Sequence, residues 1–142
     1  MKTKLLFTVT ILLLFTSFSL SQGKWKVYVE HSGDDMLGKQ LASHLREGLS
    51  HKESFFHLVP RDEAELVVRL ATMSIPESGE ADVSVFSMTL TVKFPPDARE
   101  AYCDQSIGYF GWSHIMETVN FAMATVGKAA AECLGEGMRT EK

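Results

Sequence analysis

The sequence predicts an α+β fold, a two-layer sandwich of order β-α-β-β-β-α with about four mostly antiparallel strands and two helices on one face. Three observations carry this. Leu37, Leu41, Leu45 and Leu49 recur every fourth residue, which gives the first helix one apolar stripe. Ile115, Val119, Ala122, Val126, Ala129 and Cys133 form a second stripe at helical spacing near the other end of the chain. Between them Phe86, Met88, Leu90, Val92 and Phe94 alternate with Ser87, Thr89, Thr91 and Lys93, the pattern of a strand with one buried face. Helices laid on one side of a sheet satisfy all these faces together.

The elements follow in order. "KWKVYVEHSG" alternates Trp25, Val27 and Val29 against Lys26, Tyr28 and Glu30 and reads as the first strand. "SGDD" follows as a turn, with Ser32 and Asp35 at the spacing of a capping box. The first helix is expected from about Met36 to Ser50, weakened by Gly38 and Gly48. "SFFHLVP" is a short apolar stretch stopped by Pro60, and "AELVVRLATMSI" is the second strand of the expected four. The long alternating strand spans Asp82 to Phe94, between the turn-rich "PESGEA" and "PPDARE". A last strand covers Ala101 to Phe110. The final helix is expected from an N-cap at Ser113 to about Leu134, where Gly135 stops it.

Residues 1–21 read as a secretory signal segment. Lys2 and Lys4 precede an apolar run from Leu5 to Phe15, and Ser19 and Ser21 stand before a cut at Gln22. The run is shorter than the roughly 20 residues of a spanning helix, so no stable membrane span is expected after cleavage. Residues 22–142 then form a single α/β domain, with an ordered core at about 24–134 and a flexible tail at 135–142. Losing two lysines and no acid takes the formal charge from −4 to −6. An acidic chain without a basic cluster argues against nucleic acid and anionic membrane surfaces as partners.

The chain holds two cysteines, Cys103 and Cys133. From Cys103 to the strand end at Phe110 is roughly 23 Å. From His114 along the helix to Cys133 is roughly 28 Å. A helix folded back on its strand therefore returns Cys133 to Cys103. In an oxidising compartment such a pair forms a disulfide, worth roughly 3.6 kcal/mol in the chain-entropy account; a free buried thiol is the alternative. Neither cysteine has a His or second Cys at ligand spacing.

Nothing else in the sequence names a reaction. It contains no G-x-S-x-G, no glycine-rich phosphate loop after a strand and no H-E-x-x-H. "HSGDD" sets His31 near Asp34 and Asp35, but a strand end followed by a helix cap explains the same residues. No catalytic residue, metal site or cofactor is expected. "GYFGW" (Gly108 to Trp112) reads as an aromatic turn over one end of the core, with a recognition loop as the alternative.

With both helices on one side, the other face of the sheet is left open. Tyr28, Val67, Arg69, Val83, Val85, Thr89 and Tyr102 are expected there as a candidate partner-binding face, together with Asp104 and Ser106 from the last strand. A second possibility is a small hydrolase or ligand-binding protein. Its site would lie between the 31–35 and 108–114 loops, with His31, Asp34 and His114 in it.

The runs "KVYVE", "LGKQLASHLREGL" and "FFHLVPRDEAELVVRLATM", then "SIGYFGW" before a helix, resemble small periplasmic α/β domains. These are the anticodon-binding-domain-like domains of the TolB N-terminal and LpoB type. The resemblance covers nearly all of residues 26–134. It implies an interaction module of the bacterial envelope, and it brings no catalytic residue to transfer. The chain departs from those proteins in having no propeller, no lipobox cysteine and no long tether, so the resemblance assigns no partner. The expected function is therefore that of a secreted or periplasmic, non-catalytic module binding a protein through its open sheet face or a sheet edge.

Overall fold

In the computed structural model, the described residues are 25–53, 55–75, 83–94 and 99–135. The expected signal segment 1–21, residues 76–82 and 95–98, where turns are expected, and the expected tail beyond Gly135 lie outside them. Five strands form one mixed sheet: β1 (Trp25–Ser32), β2 (Phe56–Leu58), β3 (Leu66–Ile75), β4 (Val83–Phe94) and β5 (Arg99–Gly111), in the order β2-β1-β3-β4-β5. Helix α1 (Met36–His51) follows β1, and α2 (Ile115–Ala129) follows β5.

The expected two-layer α+β architecture is present, with one strand more than the alternation indicated. The additional strand is β2, where "FHL" pairs in parallel with Trp25–Val27. Three residues are too few to show a period. β1 also pairs in parallel with β3, and only β3-β4 and β4-β5 are antiparallel, so parallel and antiparallel pairings are equal in number.

The core lies between the helices and one face of the sheet. Val27 and Val29 from β1, Leu66, Val68 and Leu70 from β3, and Phe86, Met88, Leu90 and Val92 from β4 are all buried there. The leucine stripe of α1 and Ile115, Val119, Ala122 and Val126 of α2 close over them. Each fully buried large aliphatic side chain contributes about 1.5–3 kcal/mol, so sidedness is set by these three patterns acting together. Cys103 is joined to Cys133, their Cα atoms 6.2 Å apart. This bond holds β5 to the wide helical turn Ala130–Leu134 that continues α2.

Both expected helix caps differ. Asp35, not Ser32, is the N-cap of α1: its Oδ2 accepts from the Gly38 N–H at 2.7 Å. Ser113 does not cap α2. It sits in a 3-10 turn, Trp112–His114, and its hydroxyl meets His114 Nδ1 at 2.8 Å. "GYFGW" is likewise mostly strand, not a turn. Alternation divides it: Phe110 is buried and meets Phe86 edge to face at 6.0 Å, while Tyr109 points the other way.

The largest departure is in β5. A register shift between Leu90 and Thr91 makes a bulge in the β4-β5 ladder, so Thr91 pairs with Tyr102 but Leu90 with Asp104. An extra residue inverts which side chains face which side beyond it. Gln105, Ile107 and Tyr109 therefore share the open face with Thr89, Ser87 and Val85, and the expected Asp104 and Ser106 turn to the helix side.

Gly38 and Gly48, which weaken a helix in isolation, let α1 pack closely on Thr72 of β3 and on Met123 of α2. A Cβ at Gly38 would stand 1.8 Å from Thr72 Oγ1, and one at Gly48 would stand 2.4 Å from the Met123 sulfur. Gly38→Ala is therefore expected to cost about 2–4 kcal/mol, through overpacking and a displaced hydroxyl. Gly127→Ala, with nothing within 4 Å, is expected to stabilise by roughly 0.5–1 kcal/mol. Urea denaturation of both variants measures the opposite signs.

Candidate functional site

The face of the sheet away from the helices divides into two unlike halves. Near the start of β3, Arg69 donates to Thr91 Oγ1 at 3.0 Å and to the Glu100 carboxylate, and its Nε stands 3.5 Å from Glu30. Arg61, from the loop after β2, pairs with Glu30 at 3.8 Å and Glu100 at 3.5 Å. Glu30 lies on β1 and Glu100 on β5, with β3 and β4 between them. The Arg61 side chain thus crosses the sheet. Lys93 fixes its backbone by donating to the Arg61 carbonyl.

This half is roofed, not open. Val67, on the same side of β3 as Arg69, is fully buried, and Thr91 is nearly so. The Arg69 hydrogen bond holds the Glu100 carboxyl below the usual carboxylate range, against the opposing effect of partial burial. Two guanidiniums and two carboxylates make the cluster internally neutral. Of the sequence-predicted face residues, Val67 is withdrawn from contact and Arg69 is occupied by its partners. Tyr28 is half-buried, while Tyr102 stands 66 % exposed.

The other half is apolar. Cross-strand rows align Ala71 with Ser87 and Ile107, Met73 with Val85 and Tyr109, and Ile75 with Val83 and Gly111. Met73 is 67 % exposed, Ile107 71 % and Tyr109 80 %. None of these row residues is charged. The structure keeps Val83 and Val85 in this patch, and it adds Met73, Ile75, Ile107 and Tyr109, which sequence reasoning missed. For the first two the signal was present: the alternation Val67, Arg69, Ala71 simply continues for two more steps. For the β5 pair the bulge hid it. A depression of about 350 Å³ marks the junction of the halves, where Arg69, Ala71, Ser87 and Thr89 meet.

Of the expected 31–35 and 108–114 loops, 108–111 is strand, and Asp35 and Trp112 come together at one end of the sheet. There Asp35, Ser74, Ser84 and Trp112 line a hollow of about 120 Å³, small against the roughly 300 Å³ at which ligand pockets begin. His31, Asp34 and His114 do not line it. Asp34 and His114 are exposed, and His31 Nε2 is held 2.8 Å from Thr72 Oγ1.

Thr72 Oγ1 donates to Asp35 at 2.6 Å, so His31 donates to Thr72. Ser84 donates to the other Asp35 oxygen at 2.6 Å. Burial opposes ionisation of Asp35, but the bonds from Ser84, Thr72 and Gly38 prevail and hold it below its ordinary value of 3.8. A carboxylate so satisfied is a weak base, and the network ties a helix end to two strands. Among the described residues no three His, Cys, Asp or Glu side chains gather as metal ligands. A groove of about 510 Å³ also runs between the helices, past His44, His51, Met116 and Met123.

No known protein family matches the sequence, and no curated protein does. Solved structures are similar at low identity. A Xanthomonas campestris protein of family DUF330 is 7 % identical, with 86 % of this chain and 92 % of that one covered and a TM-score of 0.44. Lipoprotein GNA1162 from Neisseria meningitidis is 8 % identical over 73 % and 99 %, TM-score 0.41. Rare lipoprotein B from Shewanella oneidensis is 11 % identical over 82 % and 99 %, TM-score 0.32. Structural neighbours thus include lipoproteins. Among the described residues no helix is long and apolar enough to cross a membrane.

The His31–Thr72–Asp35–Ser84 network is expected to make stability fall with acid in two stages. Burial, only partly offset by Asp35, lowers His31 from its ordinary 6.5. The unfolded chain then takes up a proton first, and stability declines as pH drops from about 6.5 to the lower native value. Asp35, also lowered, gives a second decline as pH falls from its unfolded value through its native one. Urea midpoints from pH 8 to 2 are expected to show both stages. His31→Gln is expected to remove the upper stage and keep the lower.

Proposed function

We propose that the chain is an extracytoplasmic, non-catalytic interaction module that binds a protein through the apolar half of its open sheet face. The observation that carries this is the uncharged cross-strand patch of Met73, Val85, Ile107 and Tyr109, three of them more than 60 % exposed. Contiguous exposed apolar surface of this kind marks contact sites on soluble proteins. Its setting beside a polar, ion-paired rim matches the anatomy of an interface core.

The compartment is supported by the Cys103–Cys133 disulfide, since such bonds persist where the surroundings are oxidising, and by the secretory pattern of residues 1–21. The element-order resemblance to the envelope domains of the TolB N-terminal and LpoB type points to the same role. A hydrolase or ligand-binding site around His31, Asp34 and His114 finds little support in a hollow of about 120 Å³ that none of the three lines.

Capture from an envelope extract tests this. With the full chain as bait, Tyr109→Ser and Met73→Ser are expected to reduce recovery of a specific partner by about tenfold or more, as central contact residues do. Glu132→Ala, on the helix layer, is expected to leave it unchanged. Undiminished capture by the first two variants would remove the proposal.

A further inference from the structure

We infer that the partner of the apolar half-face is a second copy of this chain, packed sheet against sheet about a two-fold axis. This rests on the reading of that half-face as a contact surface and adds only its occupant.

Charge favours a second copy. The chain is net acidic, so two copies repel unless their contact zone is free of like charge. The rows Ala71–Ser87–Ile107, Met73–Val85–Tyr109 and Ile75–Val83–Gly111 contain no charge at all. Among the described residues, the charged cluster bordering these rows on the same face, Glu30, Arg61, Arg69 and Glu100, is neutralised within itself. An isologous contact brings the same patch to itself, and these rows meet their own image with no repulsive pair among the described residues. A partner recognised by opposite charge would call for basic or acidic groups among the exposed side chains, and these rows carry none.

Area favours it as well. Taking about 200 Å² for a large side chain, Met73, Ile75, Ile107 and Tyr109 at their observed exposures offer about 500 Å². Val83, Val85, Ser87 and the intervening backbone extend this toward the roughly 800 Å² per partner of a stable interface. The sheet is otherwise prepared for packing on one face only, and two sheets stacked about 10 Å apart are a standard way to bury the remaining one.

The sheet edges are less suited to association. Beyond the three-residue β2, the outer edge of β1 is closed by Val59 N–H on the Val27 carbonyl and Arg46 on the Val29 carbonyl, each at 3.0 Å. The β5 edge is long, but its first half carries Arg99, Glu100 and Asp104, charges that oppose edge pairing.

Sedimentation of the purified full chain across micromolar to millimolar concentration is the test, with folding checked by thermal melting. A concentration-dependent dimer is expected, abolished by Met73→Asp and by Ile107→Asp alone. Because Met73 lies two strands in from the β5 edge, an edge-paired dimer would survive its substitution. Mixing Met73→Asp with Met73→Lys chains is expected to restore association, which only contact between copies can do. A chain monomeric throughout, or a dimer that persists in Met73→Asp, overturns the inference. A monomer whose capture of another protein still depends on Tyr109 would retain the interaction-module function and lose only this occupant.

Discussion

The carboxylate of Asp35 is the constraint on which the placement of the first helix depends. It accepts from Gly38 of its own helix, Thr72 of β3 and Ser84 of β4. One short side chain thereby satisfies an orphan donor at the helix start and fixes that start over two strands. Hydrogen bonds to a charged acceptor are worth about 1.5–3 kcal/mol each, and Gly38 is what lets the helix come close enough to form them. The leucine stripe decides which side of α1 is buried; the Asp35 node decides where along the sheet it sits.

At the other side of the molecule the disulfide does the corresponding task for α2, holding its C-terminal turn to β5. With both helices secured to one face, the second face receives no helix cover among the described residues. The chain covers half of it by a different device, the Arg61 side chain stretched between Glu30 and Glu100. Exposed ion pairs are individually weak, about 0–1 kcal/mol, yet a network that shares Arg69 excludes water from Val67 completely. The apolar half has no such roof among the described residues, and this contrast gives the face its functional interest.

Much of this was legible in the sequence because it depends on local period. The α1 stripe, the β4 alternation and the reach of strand against helix needed no tertiary information, and they led to the architecture and to the Cys103–Cys133 geometry. Three features depended on partners distant in sequence. Ser32, Asp34 and Asp35 are all competent N-caps, and Asp35 is selected because Thr72 and Ser84 stand within its reach. The β5 bulge has no mark in "AYCDQSIGYFGW", since only the ladder with β4 shows that the partners of Leu90 and Thr91, Asp104 and Tyr102, leave Cys103 between them unpaired in that ladder. Arg61 reads as an ordinary loop residue until the sheet order brings Glu30 and Glu100 to either side of it. The open face was therefore half legible: Val83, Val85 and the exposed Tyr102 were read onto it, while Met73, Ile75, Ile107 and Tyr109 were not.

The sidedness of the sheet is the central claim, and methionine oxidation by peroxide, read by mass spectrometry, tests it most directly. Met73 and Met88 lie on adjacent strands and opposite faces, 67 % and 0 % exposed, and Met36 is an exposed reference at 68 %. In dilute solution Met73 should be oxidised about as fast as Met36, with Met88 untouched until the chain unfolds. Protection of Met73 equal to that of Met88 in the dilute chain, or oxidation of Met88 in the folded one, would contradict the account.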